Sequence, residues 1–445
     1  MRSNLLIYSI ALLGMSSLTA MSAMAAPWER SYVVSAYEPA FYYGGKVGTE
    51  DVGTDCPKGL IAEDDYKVLL NQSWRTPQEL ARLTAPLVPG GRDPRSVRKN
   101  AMAHRGFRPD IETYINPMAA PDPGMQQVTG KIAIGFNLDN KAGTGGFTSP
   151  SGERGIDNAF YRAFGCAMSY RGEPYHAYLS QRANDKMLEG LYTFVIRVSG
   201  NQDPMNDTDA VVEVGYSPDH IVKNSMGNVA VNYSFRIAKS AQYTRLRATI
   251  KNGTINTEQV ANLDVPAFAW YETNRGGALF KNGRMRMVMN QDGSLSGILG
   301  GYRDWRDIYA KDTFNAPSGG ESRETTYRQN QIAFYYALKR NADALPDPKT
   351  GQNMGISATY RFEAKPAFVV VPETPVVIDQ PPLSPMADRQ RVAFYKALTT
   401  KQISAPPARA GTGTAPAAPN GNAFKSADDK QVNNATPATV ASATP

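Results

Sequence analysis

The chain has little of what usually points to a reaction. It contains two cysteines, three histidines and four tryptophans in 445 residues. There is no Cys-x-x-Cys and no Cys-x-x-Cys-His, which removes dithiol redox pairs and attached haem. His104, His176 and His220 stand in unlike contexts without ligand spacing, so a Ser–His–Asp or zinc site has no support. No Gly-rich loop followed by Lys is there to cradle a phosphate. After the first two dozen residues no stretch approaches the roughly 18 apolar residues of a spanning helix. The catalytic residues stay unknown.

What is present begins with an export leader. Met1-Arg2 is a short positive start, Leu5 to Met21 is apolar, and Ala23-Met24-Ala25 supplies small residues for a cut near Ala25. Residues 1–25 therefore read as a signal peptide and the mature chain as periplasmic or secreted. No Cys sits at the cut, which argues against a lipid anchor. Export removes nucleic acid from the partners. The net charge of +7 is mild for this size and allows attraction to anionic surfaces without demanding it. In an oxidising compartment Cys56 and Cys166 read most simply as a disulfide, with two buried free thiols as the rival. Closing so long a loop stabilises by roughly 4–5 kcal/mol in the chain-entropy model.

Residues 26–125 are a mixed N-terminal region packing on the core. Ser31–Ala36 is strand-like, and Thr76-Pro77-Gln78-Glu79 is a capping box before Leu80 and Leu83. The cluster Arg92, Arg95, Arg98, Lys99, Arg105 and Arg108 reads as a solvated loop. Residues 126–300 form the β core. Leu191–Val198 and Val211–Tyr216 suit central strands. Val229, Val231, Tyr233, Phe235 and Ile237 alternate with polar residues, and Thr244, Leu246, Ala248 and Ile250 face away from Arg245 and Arg247. Arg284–Met289 repeats that logic and runs into the hairpin signal Asp292-Gly293.

Residues 301–402 add helices at Tyr327–Arg340 and from Ser384-Pro385 to Lys401, with a strand at Ile356–Phe362 between them. Ala159–Ala163, Ala333–Ala337 and Ala393–Ala397 echo one another as aromatic helix pieces without regular spacing. Residues 403–445 are a low-complexity tail without apolar content to offset ordering entropy. Such an end speaks against an outer-membrane barrel, whose last strand must close the wall. The fold expected is mainly β with helical additions (α+β), an antiparallel β-sandwich-like core.

Two loops collect oxygen donors. Asp139, Asn140, Glu153, Asp157 and Asn158 lie in a Gly-rich stretch; Asp203, Asn206, Asp207 and Asp209 lie between two strands. Ca²⁺ takes six to eight such ligands, though neither set has EF-hand spacing and Asp, Asn and Gly are also turn formers. No cofactor is fixed by the sequence, and Ca²⁺ is the candidate. Arg245, Arg247, Arg284 and Arg286 form a cationic face if their two strands share a sheet, able to hold an anionic polysaccharide or lipid headgroup. The bland alternative is the ordinary wet side of a strand. For glycan chemistry Trp270-Tyr271-Glu272 and Tyr302-Arg303-Asp304-Trp305 are the local candidates, with nothing to fix their separation.

Three stretches form a recognisable set. They are Ile134–Asp139 leading through Phe147–Asn158 to Phe164-Gly165-Cys166, then Asn201–Tyr216, then Ala342–Pro348 through Ile356–Tyr360 to Pro366-Ala367-Phe368. Together they resemble a family of uncharacterised exported proteins of Gram-negative bacteria. That resemblance implies export and one extended domain, and it supplies no activity and no catalytic residues. The function expected is an exported binding or accessory protein of the envelope or secretome, Ca-stabilised and contacting an anionic glycan or envelope surface. A polysaccharide-acting hydrolase or lyase and a purely structural envelope protein are the alternatives.

Overall fold

Period-two alternation builds the largest share of the regular structure, and the helices sit on the outside of what that alternation makes. The computed structural model describes residues 27–44, 55–56, 76–84, 112–120, 122, 124–142, 146–167, 170–237, 243–266, 277–314, 331–374 and 385–399. The leader, the basic stretch at 92–108, Trp270–Glu272 and the 403–445 tail lie outside those residues.

In chain order the elements are β1 (Trp28–Pro39), α1 (Pro77–Thr84), β2 (Phe147–Thr148), β3 (Arg154–Ile156), α2 (Ala159–Phe164), α3 (Tyr178–Leu188), β4 (Thr193–Gly200) and β5 (Asp207–Ser217). There follow β6 (Ser234–Arg236), β7 (Tyr243–Lys251), β8 (Thr254–Thr257), β9 (Val260–Pro266), β10 (Gly277–Met289) and β11 (Leu295–Asp304). Last come α4 (Trp305–Phe314), α5 (Gln331–Asn341), β12 (Ala344–Pro346), β13 (Asn353–Val370) and α6 (Pro385–Thr399).

The strands close into a barrel. The order is β1-β4-β5-β7-β8-β10-β11-β13, and β13 pairs back onto β1, giving eight antiparallel staves. β9 extends the β8 stave along β10, and it is tied to β7 where Thr244 Oγ1 accepts the Asp264 N–H at 3.0 Å. The closing seam runs from Ser31 opposite Ala367 to Pro39 opposite Tyr360. The expected antiparallel β core with helical additions is therefore present, but the sandwich is corrected to a closed barrel. Inward/outward alternation is the same in both architectures, so the sequence pattern cannot separate them. What decides is the pairing of β1 with β13, more than 300 residues away in the chain.

An eight-stranded barrel is just wide enough for side chains to fill. Here Tyr37, Phe194, Phe280, Tyr360 and Phe362 are 0–2 % exposed and pack with Val198, Val212, Leu246, Met285, Met287 and Leu299. Tyr37 contacts the rings of both Phe194 and Tyr360. Arg303 also points inward, donating from Nη1 to the Tyr360 hydroxyl at 2.7 Å. The outward side is polar where it meets water. On β7, Leu246, Ala248 and Ile250 are buried while Arg245, Arg247, Thr249 and Lys251 are exposed. A membrane barrel has the opposite arrangement, an apolar band outside. Among the described residues no helix is long and apolar enough to cross a membrane.

Helices cover the wall at β1, β13 and β11. α3 packs on β1; α2 packs on β13 and α5; α4 packs on α5 and α6. The three echoed aromatic pieces turn out to be α2, α5 and α6. Their rings meet at Phe164–Phe334 (4.5 Å between centroids) and, through Tyr309 of α4, at Tyr309–Phe394 (4.8 Å). Thr76 opens α1 as expected, its backbone N–H donating to Glu79 Oε2 and its hydroxyl accepting the Glu79 N–H. Cys56 and Cys166 are joined as a disulfide.

Candidate functional site

The outer wall formed by β10, β11 and β13 carries a group of charged side chains under a loop drawn from residues 134–142 and 146–158. Arg284 and Arg286 leave β10 on the outward side, because Met285 and Met287 between and beyond them face the core. Both guanidinium groups sit near the Phe136 ring, at 5.2 and 5.4 Å from its centroid. Arg286 pairs with Glu153 at 3.0 Å, and Arg284 donates to the Asn137 carbonyl. Phe136 in turn pairs with Asp157 through an antiparallel bridge and packs with Leu138 on Tyr302 of β11.

The first predicted oxygen set is thus fastened to half of the predicted arginine set. Asp139, Asp157 and Asn158 spend side-chain oxygens on the loop and its exit into α2. Asp157 Oδ2 accepts the N–H groups of Leu138 and Asp139 at 2.7 and 3.2 Å. Asp139 Oδ1 accepts the Lys141 N–H, and Asn158 Oδ1 caps α2 at the Tyr161 N–H. Asn140 takes a left-handed conformation (φ +59), and Gly155 (φ +76) lets the Lys141 carbonyl approach where a side chain would collide. Burial pushes the Asp157 carboxyl up despite its two N–H donors, and burial beside Arg286 pulls Arg284 down.

Asp343, next to β12, joins this group and had no signal in the sequence. Its Oδ1 accepts the Ser357 N–H at 2.8 Å and its Oδ2 accepts the Ser357 hydroxyl at 2.6 Å. Burial raises its carboxyl to about 6, against the pull of those donors, and the neighbouring Asp157 adds to the rise. Asp139, Asp157 and Asp343 all push the Tyr302 hydroxyl further up than burial alone.

The second oxygen set lies elsewhere, at the β4–β5 turn. Asp207 Oδ2 accepts from the Trp28 ring N–H and from the Asn201 and Gln202 N–H groups, while Oδ1 accepts the Asp209 N–H. Burial pushes against ionisation there, but these four donors together hold Asp207 below the usual carboxylate range. Asp203 accepts the Met205 N–H and Asn206 accepts the Asn252 N–H. Among the described residues no group of three or more His, Cys, Asp and Glu side chains is placed to hold a metal ion.

Arg245 and Arg247 share the barrel sheet with Arg284 and Arg286, one stave away across β8. They differ in being exposed. Glu213 of β5 faces Arg245 across the β5–β7 pair, but it is itself bound to Arg197 at 2.7 Å. Of the glycan candidates, Trp305 is only 4 % exposed and meets Tyr335 edge-on, so it belongs to the packing of α4 on α5. Arg303 is inside the barrel, and Asp304 pairs with Arg306.

No known protein family, curated protein or solved structure matches this chain.

Proposed function

We propose that the chain is an exported binding or accessory protein of the cell envelope or secretome that meets an anionic glycan or envelope surface through its outer wall. The observation that carries this reading is the outward row of β7, where Arg245, Arg247, Thr249 and Lys251 are exposed while Leu246, Ala248 and Ile250 between them are buried. Alternate positions of a strand recur about every 6.6 Å, so the row offers three cations along one line, two of them one repeat apart and the third two repeats further on, to a repeating polyanion. Arginine suits the task because its planar fork binds carboxylate and sulfate groups in pairs. Arg284 and Arg286 hold Asn137 and Glu153 of the loop over the adjacent wall and set one border of the row.

Intrinsic fluorescence of the full chain titrated with a polyuronate and with a neutral glucan tests the reading. A saturable response to the polyuronate that weakens with salt supports it. Equal responses, or none, count against it.

A second reading has one observation in its favour. Asp343, raised to about 6, lies beside Asp157 and near Tyr302, and unequal carboxyl groups are what glycosidic bond cleavage uses. Release of reducing ends from an acidic glycan, abolished in Asp343→Asn, would favour that hydrolase or lyase.

A further inference from the structure

At the end of the barrel where β1 enters and β13 leaves, both strands run past the rim. The last pair of their seam is Ser31 opposite Ala367; beyond it β13 continues to Val370, and β1 has already begun at Trp28. Side chains on one face of a strand recur at every second residue, so the rows that line the barrel continue outward. On β13 the inward row is Tyr360, Phe362 and Ala364, all buried. Phe368 and Val370 prolong it and are 59 % and 51 % exposed. On β1, Val34 and Tyr32 stand opposite Ala364 and Pro366, and Arg30 is the next residue of that row.

The apolar lip widens across β6. The Phe368 N–H donates to the Tyr233 carbonyl, and Tyr233 and Val231 are exposed as well. Large apolar side chains gathered on one stretch of surface mark a binding site, whereas single scattered ones do not.

Arg30 lies beside this lip with its charge unmatched. Its guanidinium reaches across the barrel end to Met289 Sδ at 3.5 Å and bonds to the Tyr32 hydroxyl. Glu29, its neighbour in the chain, is bound to Arg197, and Arg236, which shares a register rung with Val370, is bound to Asp219. Among the described residues Arg30 has no carboxylate within ion-pair distance.

We propose that this end of the barrel binds a single-chain anionic amphiphile: a long-chain carboxylate whose head pairs with Arg30 and whose chain lies along Phe368 and Val370. The charges are complementary, because the planar guanidinium can donate to both oxygens of one carboxylate. One unmatched guanidinium fits one monovalent head, whereas attraction to a bilayer takes a cluster of cations. Ligand sites of this kind favour barrel mouths, where apolar walls hold the body and a few polar groups fix its orientation. Tyr32, Met289 and Leu295 fill the layer beneath, so the chain rests on the rim and does not enter the core. The site is separate from the β7 row, which faces outward from the wall, and neither reading depends on the other.

Isothermal titration of the full chain with decanoate, decanol and decyltrimethylammonium, each as monomers in solution, tests the proposal. Decanoate is expected to bind one per chain, on the order of tenfold or more tighter than decanol, with decyltrimethylammonium weakest. Arg30→Gln should abolish the preference for decanoate over decanol, and Phe368→Ser should weaken both on the order of tenfold. Both side chains are exposed, and an unchanged thermal midpoint shows that each variant is folded. The comparison of the three amphiphiles on the wild-type chain needs no variant. Arg245→Glu/Arg247→Glu should bind decanoate as the wild type does. The proposal is overturned if decanoate does not bind, if the three amphiphiles bind alike, or if folded Arg30→Gln keeps the preference. Binding to phosphatidylglycerol vesicles without binding of monomeric decanoate would overturn it in favour of a membrane-docking surface.

Discussion

Asp343 concentrates the electrostatics of the outer wall in one carboxyl group. Burial raises it to about 6, so the folded protein binds its proton more tightly than the unfolded chain does. The sign follows from linkage. A group raised on folding contributes stability when protonated and loses that contribution as pH climbs from the ordinary carboxylate range through about 6. Glu38 and Asp157 are shifted the same way by burial. The thermal midpoint is therefore expected to rise as pH is lowered from 7 to 5. Asp343→Asn should flatten that dependence by an amount on the order of 2 kcal/mol, offset in part by a poorer acceptor for Ser357. Calorimetry of both proteins across this range checks it; an unchanged slope in the variant would show that Asp343 is not the source. Neither Asp343 nor Asp55 could be singled out in the sequence. Asp55 is a lone acid whose partner Arg171 lies far away in the chain, and Asp343 binds Ser357 only once β12 has paired with β13.

At the scale of elements, the sequence is most legible where the signal is local. The capping box at Thr76 and the Asp292-Gly293 turn between β10 and β11 both form, the latter with Gly293 at φ +80. A second local signal was equally plain: Asn252-Gly253 joins β7 to β8 as a two-residue hairpin with both residues at positive φ. The same dipeptide at Asn282-Gly283 makes no turn. It sits where the β10–β11 register shifts between Lys281 and Arg284, because the chain on both sides is already paired. The strand expected over Val229–Ile237 shortens to β6, as Asn232 turns left-handed (φ +60) and leaves Val231 and Tyr233 exposed. Alternation of apolar residues there had suggested more pairing than exists. Gly253→Val tests the hairpin assignment. It should destabilise by about 1–2 kcal/mol, because a β-branched residue is forced to φ +75. Urea unfolding reads the loss, and a change below 0.5 kcal/mol (about the noise for a surface site) would contradict it.

For the whole molecule, the decisive fact is closure. Six of the eight staves, β1, β4, β5, β7, β10 and β13, were read as strands, β8 and β11 were not, and the outward position of the arginines was readable from the alternation on β7 and β10. Pairing of β1 with β13 was not, since no local pattern records which distant edge a strand will meet. Closure also changes how the oxygen-rich loops read. Asp139, Asp157, Asp203 and Asp207 accept backbone N–H groups and Glu153 is held by Arg286, so Ca²⁺ and EDTA are expected to give the same thermal midpoint. A rise with Ca²⁺ would restore those loops as metal ligands.

The central claim is that the β7 row is the surface that meets a polyanion. Affinity of the full chain for a polyuronate, compared with that of Arg245→Glu/Arg247→Glu, tests it most directly. Both side chains are exposed, so the fold should survive the change, which a matching unfolding midpoint confirms. Binding is expected to weaken on the order of tenfold or more, and its dependence on salt to become shallower. Unchanged affinity and unchanged salt dependence in a folded variant would contradict the claim.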